Sequence, residues 1–145
     1  MTVDPTYIAS NRASTARLRA LAARLSDDEL GHPVGEHWTV AIALAHLAFW
    51  DRRVLHLVDL AERGGAGAFP IIDVSVNDLA LPFWAALPPR AAVRIAIETS
   101  EALDQRLETL SPHLLEMIFT GNPRWAQRGL HRDAHLDEID AALKA

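Results

Sequence analysis

Hydrophobic residues recur every three or four positions along most of this chain, the spacing of one face of an α-helix. A first helix is predicted from the start signal Asp4-Pro5 to about Leu25, and its inner face carries Tyr7, Asn11, Ser14, Leu18, Leu21 and Leu25. Ser26-Asp-Asp-Glu29 has the pattern of a capping box and predicts a further short helical turn. The glycines and the proline from Gly31 to Glu36 then predict a loop.

A second helix is predicted from Thr39, a good N-cap residue, to about Arg63. Its first half is apolar almost all round, so we expect it to be the most buried element of the fold. The glycine-rich stretch Gly64-Gly-Ala-Gly67 ends it.

The segment from Ala66 to Pro89 contains four prolines and predicts a long connection with one short helix around Val76–Leu87. Pro89 opens a third long helix, which Ser111-Pro112 ends and whose apolar seam is Val93, Ala96, Ser100, Leu103, Leu107 and Leu110. A last helix is predicted from about Arg124 to Leu143. We therefore expect an all-α fold, a four-helix bundle with a long connection between its second and third helices.

Composition narrows the possible functions. The 145 residues fit one domain, 1–145, and the net charge of −5 argues against nucleic acid as a partner. The apolar run at 40–50 is too short to cross a membrane, and no export signal is visible at the N-terminus, so we expect a cytoplasmic protein. Because the sequence has no cysteine, it offers neither a thiolate ligand nor a cysteine nucleophile.

Three histidines carry the candidate chemistry. His131 and His135 are four residues apart, which places both rings on one helix face, close enough to share a metal ion. His46 lies in the apolar run of the second helix, where a polar ring needs a partner. If the second and last helices are antiparallel neighbours, the three rings fall at one level, about 10 to 13 Å from the helix ends. The alternative is that each histidine is satisfied separately by solvent, a carbonyl or a carboxylate.

Other polar residues on inward lines are candidates for substrate binding. Asn11 and Ser14 interrupt the apolar face of the first helix and could line a pocket. The alternative, to which we give equal weight, is that they lie at the edge of that face and contact solvent. Arg128 precedes His131 by three residues and is suited to hold a carboxylate or a thiol conjugate, or else to form a surface ion pair.

Two further sets of residues have a structural and a functional interpretation. The first set is Trp38, Trp50 and Trp125. Tryptophans at helical spacing usually belong to the core, but these three could also line a pocket. A carboxylate can orient a ligand histidine or simply face solvent, as here Asp51 or Glu138.

Two stretches resemble one known family. The segments from His37 to Arg53 and from His131 to Leu143 look like the second and last helices of the DinB-like superfamily, which includes the YfiT-like proteins and the mycothiol-dependent maleylpyruvate isomerases. The resemblance implies an up-down-down-up bundle and a divalent metal held by His46, His131 and His135. In the isomerases the first ligand of the last helix can be glutamate, whereas this chain has His131, a departure that weakens the case for that specific activity but leaves the metal site intact.

The resemblance implies a metal-dependent enzyme, either a low-molecular-weight-thiol-dependent S-transferase or isomerase, or a hydrolase. Three imidazoles favour zinc or nickel, and the nucleophile would come from a thiol cosubstrate or from water. The expected partners are a small-molecule substrate and, by resemblance, a second copy of the chain in a homodimer. The alternatives are a non-catalytic metal-binding or stress-response protein, and a helical dimerisation module without metal.

Overall fold

The computed structural model describes residues 3–64 and 73–145, and these residues are mostly helical. The helices are α1 (Thr6–Arg24), α2 (Asp27–Leu30), α3 (Val40–Gly64), α4 (Ser75–Ala86), α5 (Pro89–Glu108), α6 (Pro112–Gly121) and α7 (Gly129–Lys144), with a 3₁₀ turn at Pro123–Trp125. The predicted all-α class is therefore confirmed. None of the helices in these ranges is long and apolar enough to cross a membrane.

The first three predicted long helices correspond to α1, α3 and α5, with ends within about two residues of those expected. The short helix expected around Val76–Leu87 is α4. The Thr39 hydroxyl accepts a hydrogen bond from the backbone N–H of Ile42 at 3.2 Å, as expected of a capping residue. The first part of the predicted connection, residues 66–72, lies outside the described residues.

The loop predicted at Gly31–Glu36 contains a small antiparallel ribbon. Strand β1 (Pro33–Val34) pairs with β2 (Trp38–Thr39), and Gly35 between them has a φ of 71°. That left-handed conformation costs little for glycine, which has no Cβ.

The prediction of the C-terminal third was wrong in two respects. No helix was expected after Ser111-Pro112, but the Ser111 hydroxyl accepts from the Leu114 backbone N–H at 3.2 Å and caps α6. The same two residues therefore end one helix and begin the next.

The last helix begins at Gly129, not at Arg124. Asn11, on α1, explains this start: its side-chain oxygen accepts from the Gly129 N–H at 2.9 Å and its amide donates to the Ala126 carbonyl at 2.7 Å. A Cβ on residue 129 would lie 2.9 Å from the Ser10 carbonyl oxygen, so the close approach of α7 to α1 requires glycine. The start of α7 is thus set by another helix rather than by its own sequence.

The four long helices α1, α3, α5 and α7 enclose two apolar clusters. One cluster contains the first half of α3 and residues such as Leu18, Val93 and Leu136. The other contains residues such as Val58, Leu107 and Ile118. Between the clusters each long helix contributes buried polar residues, which we call the polar layer: Asn11, Ser14, Thr15, Asp51, Ser100, Asp104, Arg128 and Arg132.

Candidate metal centre and cavity

The structure brings the three predicted histidines together. Nε2 of His46 lies 3.1 Å from Nε2 of His131 and 3.1 Å from Nε2 of His135. One nitrogen from each ring falls within 4.8 Å of the others, in the manner of a ligand set. His46 comes from the second turn of α3, and the other two come from successive turns of α7. The expectation that the three rings meet, which depended on how these two helices pack, is therefore confirmed.

Aromatic residues hold the His46 ring in place. The Trp38 ring lies 4.6 Å from it, centroid to centroid, and the Trp84 ring approaches it edge-on at 5.3 Å. His46 is 3% exposed, whereas His131 and His135 are half-buried at the cavity wall. Burial and the two aromatic contacts therefore favour the observed orientation of this ring.

The contacts among the three rings are hard to satisfy without a cation. A neutral imidazole nitrogen has either one proton or one lone pair, so Nε2 of His46 can accept only one good hydrogen bond. A metal ion among the rings would use one lone pair from each of them. Metal–nitrogen bonds of about 2.0–2.1 Å place tetrahedral ligand atoms roughly 3.3 Å apart, close to the two 3.1 Å distances from Nε2 of His46.

The protonation of the rings also suits metal binding. Burial, reinforced by His135, lowers the pKa of His46 to about 3. Burial, reinforced by the Arg128 charge, lowers the pKa of His131 to about 2. Both rings are therefore neutral at physiological pH, which is the form that binds metals.

The outer nitrogens have few partners. Nδ1 of His46 is buried and has no hydrogen-bond partner among the described residues. Nδ1 of His135 lies 3.3 Å from a Glu138 carboxylate oxygen, near enough for an ion pair but not aligned for a hydrogen bond. Glu138 thus lies beside a candidate ligand, which agrees with the prediction that it could orient a histidine. Asp51 contacts none of the three histidines and instead forms ion pairs with Arg128 and Arg132.

One contact at the site opposes metal binding. Nη2 of Arg128 lies 3.3 Å from Nδ1 of His131, and a guanidinium can only donate. Nδ1 of His131 is then the acceptor, and its proton is on Nε2. A histidine that coordinates through Nε2 carries its proton on Nδ1. His131 can therefore act as a ligand only after Arg128 gives up this contact, so the donor set fits a metal under that condition.

The triad opens onto a cavity of about 470 Å³, a size suited to a small ligand. Its wall is formed by Trp38, His46, Trp50, Arg53, Val54, Val74, Asn77, Arg124, Trp125, Arg128, His131 and His135. The three tryptophans predicted either as core or as pocket wall thus line the cavity, although Trp50 and Trp125 are also buried. Of the described residues, three arginines and no carboxylate belong to this wall.

The predicted substrate-binding residues lie in different places. Arg128 lines the cavity, but Nε donates to Asp51 at 2.9 Å and Nη1 to the Arg124 carbonyl at 3.2 Å. Asn11 and Ser14 are each 1% exposed and do not line the cavity. They belong to the polar layer, not to the solvent-exposed edge of the helix face that was the alternative.

Sequence reasoning gave no role to Arg132, which occupies the centre of the polar layer and is fully buried. Its Nε donates to Asp51 at 2.9 Å and its Nη1 to Asp104 at 2.8 Å. Burial lowers the pKa of Arg132, but the two carboxylates outweigh it and raise the pKa overall. One signal was available: residue 132 precedes the buried Leu136 by one helical turn.

The fold and the site together define a helical protein with a candidate three-histidine metal centre beside a ligand-sized cavity. The chain belongs to the DinB superfamily, whose family model matches residues 11–138. No significant match was found among curated proteins or among solved structures.

Proposed function

We propose that this protein is a metal-dependent enzyme whose divalent ion is held by His46, His131 and His135. The observation that carries the proposal is the convergence of three Nε2 atoms at the wall of a cavity. Three protein ligands leave a position for water or substrate, which is typical of catalytic rather than structural sites. A bound ion would supply Lewis-acid chemistry, stabilising a hydroxide or a thiolate at neutral pH.

The chain itself supplies binding and orientation. The chain has no cysteine, and no carboxylate lines the cavity within the described residues. The nucleophile must then be a thiol cosubstrate or water, which supports a thiol-dependent S-transferase or isomerase, or a hydrolase. Imidazole ligands favour zinc or nickel. The apolar tryptophans limit access of water to the reacting group, and the arginines attract an anionic small molecule.

We also propose the up-down-down-up bundle and a homodimer. The bundle is supported by packing of α1 against α5 and α7, and of α3 against the same two helices. The homodimer rests on the family resemblance, and light scattering on the purified protein would test it.

Elemental analysis tests the metal centre. We expect about one equivalent of divalent metal in the wild type and none in His135→Ala. The control is His113→Ala, which changes an exposed histidine remote from the cavity and should leave the metal content unchanged. Equal metal in wild type and His135→Ala would contradict the site.

Turnover assays test whether the protein is an enzyme. The metal-loaded protein is assayed with a panel of low-molecular-weight thiols and electrophiles, and with ester and amide substrates. Metal-dependent turnover that is lost in His135→Ala supports catalysis. Tight metal binding without turnover would favour a metal-binding protein, and no metal at all would favour a helical module.

A further inference from the structure

Arg53 is exceptional among the arginines of this chain. Of the thirteen, nine form ion pairs with carboxylates. The unpaired ones within the described residues are Arg52, Arg53, Arg63 and Arg124, and of these only Arg53 is partly buried. Residues 65–72 contain no acidic residue that might pair with it.

Two indole rings hold the Arg53 guanidinium at the cavity wall. Its central carbon lies 5.2 Å from the centroid of the Trp50 ring and 5.3 Å from that of Trp125. These are cation–π distances, and such contacts use the faces of the rings without supplying a hydrogen-bond acceptor. Among the described residues the guanidinium N–H groups have no acceptor. The side chain is therefore fixed in position but keeps its donors free.

The electrostatic surroundings leave this charge uncompensated. Burial and the neighbouring Arg128 both lower the pKa of Arg53, and no carboxylate opposes them. A partly buried, unpaired guanidinium is costly unless an anion arrives. A carboxylate would meet its fork of donors in a bidentate geometry.

The position of Arg53 relates it to the histidines. It follows His46 by seven residues, two helical turns on the same face of α3, or about 10 Å along the axis. The wall around this face is apolar and aromatic, with Trp38 near His46 and Val54 near Arg53. Arg53 and the histidines thus lie about two helical turns apart on the same cavity wall, which is otherwise lined mainly by apolar and aromatic side chains.

We propose that Arg53 anchors the carboxylate of a small organic acid with an apolar or aromatic body, whose reactive group then faces the histidine triad. This assignment names the substrate class of the proposed enzyme and rests on the cavity being its substrate site. Arg53 acts here as a binding residue, and its role as an anion anchor does not require the metal.

Benzoate and benzamide are suitable probes because they share a shape and differ in charge. Titration calorimetry and tryptophan fluorescence follow their binding to the full chain. We expect saturable binding of benzoate and at least about 10-fold weaker binding of benzamide. No binding of benzoate, or equal binding of the two, would overturn the proposal.

Arg53→Gln should weaken benzoate binding about 10-fold or more. Arg52→Gln is the matched control, since Arg52 is an exposed neighbour that does not line the cavity. Arg53→Lys keeps the positive charge but loses the bidentate donor geometry of arginine, so we expect its benzoate affinity to lie between those of the wild type and Arg53→Gln. Circular dichroism and thermal melting check folding. Wild-type affinity in Arg53→Gln, or in Arg53→Lys should the first variant not fold, contradicts the assignment.

His135→Ala separates this proposal from the metal centre. If Arg53 is the anchor, benzoate binds His135→Ala and the binding still depends on Arg53. Absence of metal in the wild type would then remove the proposed enzyme but not the anion site. Conversely, benzoate binding that is lost in His135→Ala and unchanged in Arg53→Gln would show that a metal binds the anion, and would overturn the role of Arg53.

Discussion

The polar layer and the cavity lie side by side, but they differ in how completely their polar and charged groups are paired. In the layer, the guanidinium of Arg132 is fully buried and donates to two carboxylates, two hydroxyl groups and two backbone carbonyls. Among the described residues of the cavity, Nδ1 of His46 has no hydrogen-bond partner and Arg53 has no carboxylate beside it. Complete pairing stabilises a fixed structure, whereas unpaired groups beside open space are available to a ligand.

The largest effect should come from breaking the layer. Arg132→Met leaves Asp104 buried without its cation and leaves Asp51 with only its pair to Arg128, and we expect a loss of about 3–5 kcal/mol in the free energy of unfolding. Burial already raises the pKa of Asp104 despite Arg132, and removal of the Arg132 charge would raise that pKa further. Urea unfolding measures the loss. Arg17→Met removes only half-exposed ion pairs and should cost less than about 1 kcal/mol.

Acid should destabilise the metal-free protein through the triad. The pKa values of His46 and His131 are lowered, so the unfolded chain binds more protons below pH 6.5. Their contribution is complete above that pH and declines toward about pH 3 and 2. Between pH 7.0 and 5.5 we expect a loss of about 2 to 3 kcal/mol from the two rings together.

Urea unfolding in chelator at both pH values measures this loss. The double variant His46→Gln/His131→Gln should show a smaller pH dependence, and His113→Gln should match the wild type. A pH dependence that is the same in all three proteins would contradict the burial of neutral rings.

Asn11→Ala tests whether Asn11 belongs to the layer or to the cavity. It removes hydrogen bonds to both sides of the α7 start, so we expect a loss of about 1–2 kcal/mol. Benzoate affinity should remain that of the wild type. Weaker benzoate binding in a folded Asn11→Ala protein would restore the substrate-binding role predicted from the sequence.

The smallest expected effect concerns Arg128. Arg128→Met removes both the positive charge and the donor to Nδ1 of His131, so we expect metal to bind about 10-fold more tightly. Competition with a chromophoric chelator measures the affinity. Unchanged or weaker binding would show that the contact of Arg128 with His131 does not hinder coordination.

The helices and the His131–His135 pair could be predicted because their signals are local, whereas the meeting of His46 with this pair was expected only from antiparallel packing of two helices and from the family resemblance. Apolar spacing defined α1, α3 and α5, and the i, i+4 spacing of His131 and His135 fixed their shared face. The rest depends on contacts between distant residues. Asn11 sets the start of α7 from another helix, and Arg132 is buried only because two carboxylates from α3 and α5 meet it. The environment of Arg53 could not be predicted either, because it depends on Trp125, which is distant in the sequence and close only in the folded chain.

Asp51 makes the two regions thermodynamically inseparable. One of its oxygens holds Arg128 at the cavity wall, and the other holds Arg132 in the layer. Residues that share a partner do not contribute independently, so the free-energy costs of substituting the two arginines will not sum in a double-mutant cycle. A molecule that draws Arg128 toward the cavity will accordingly change the melting temperature by more than its own contacts explain.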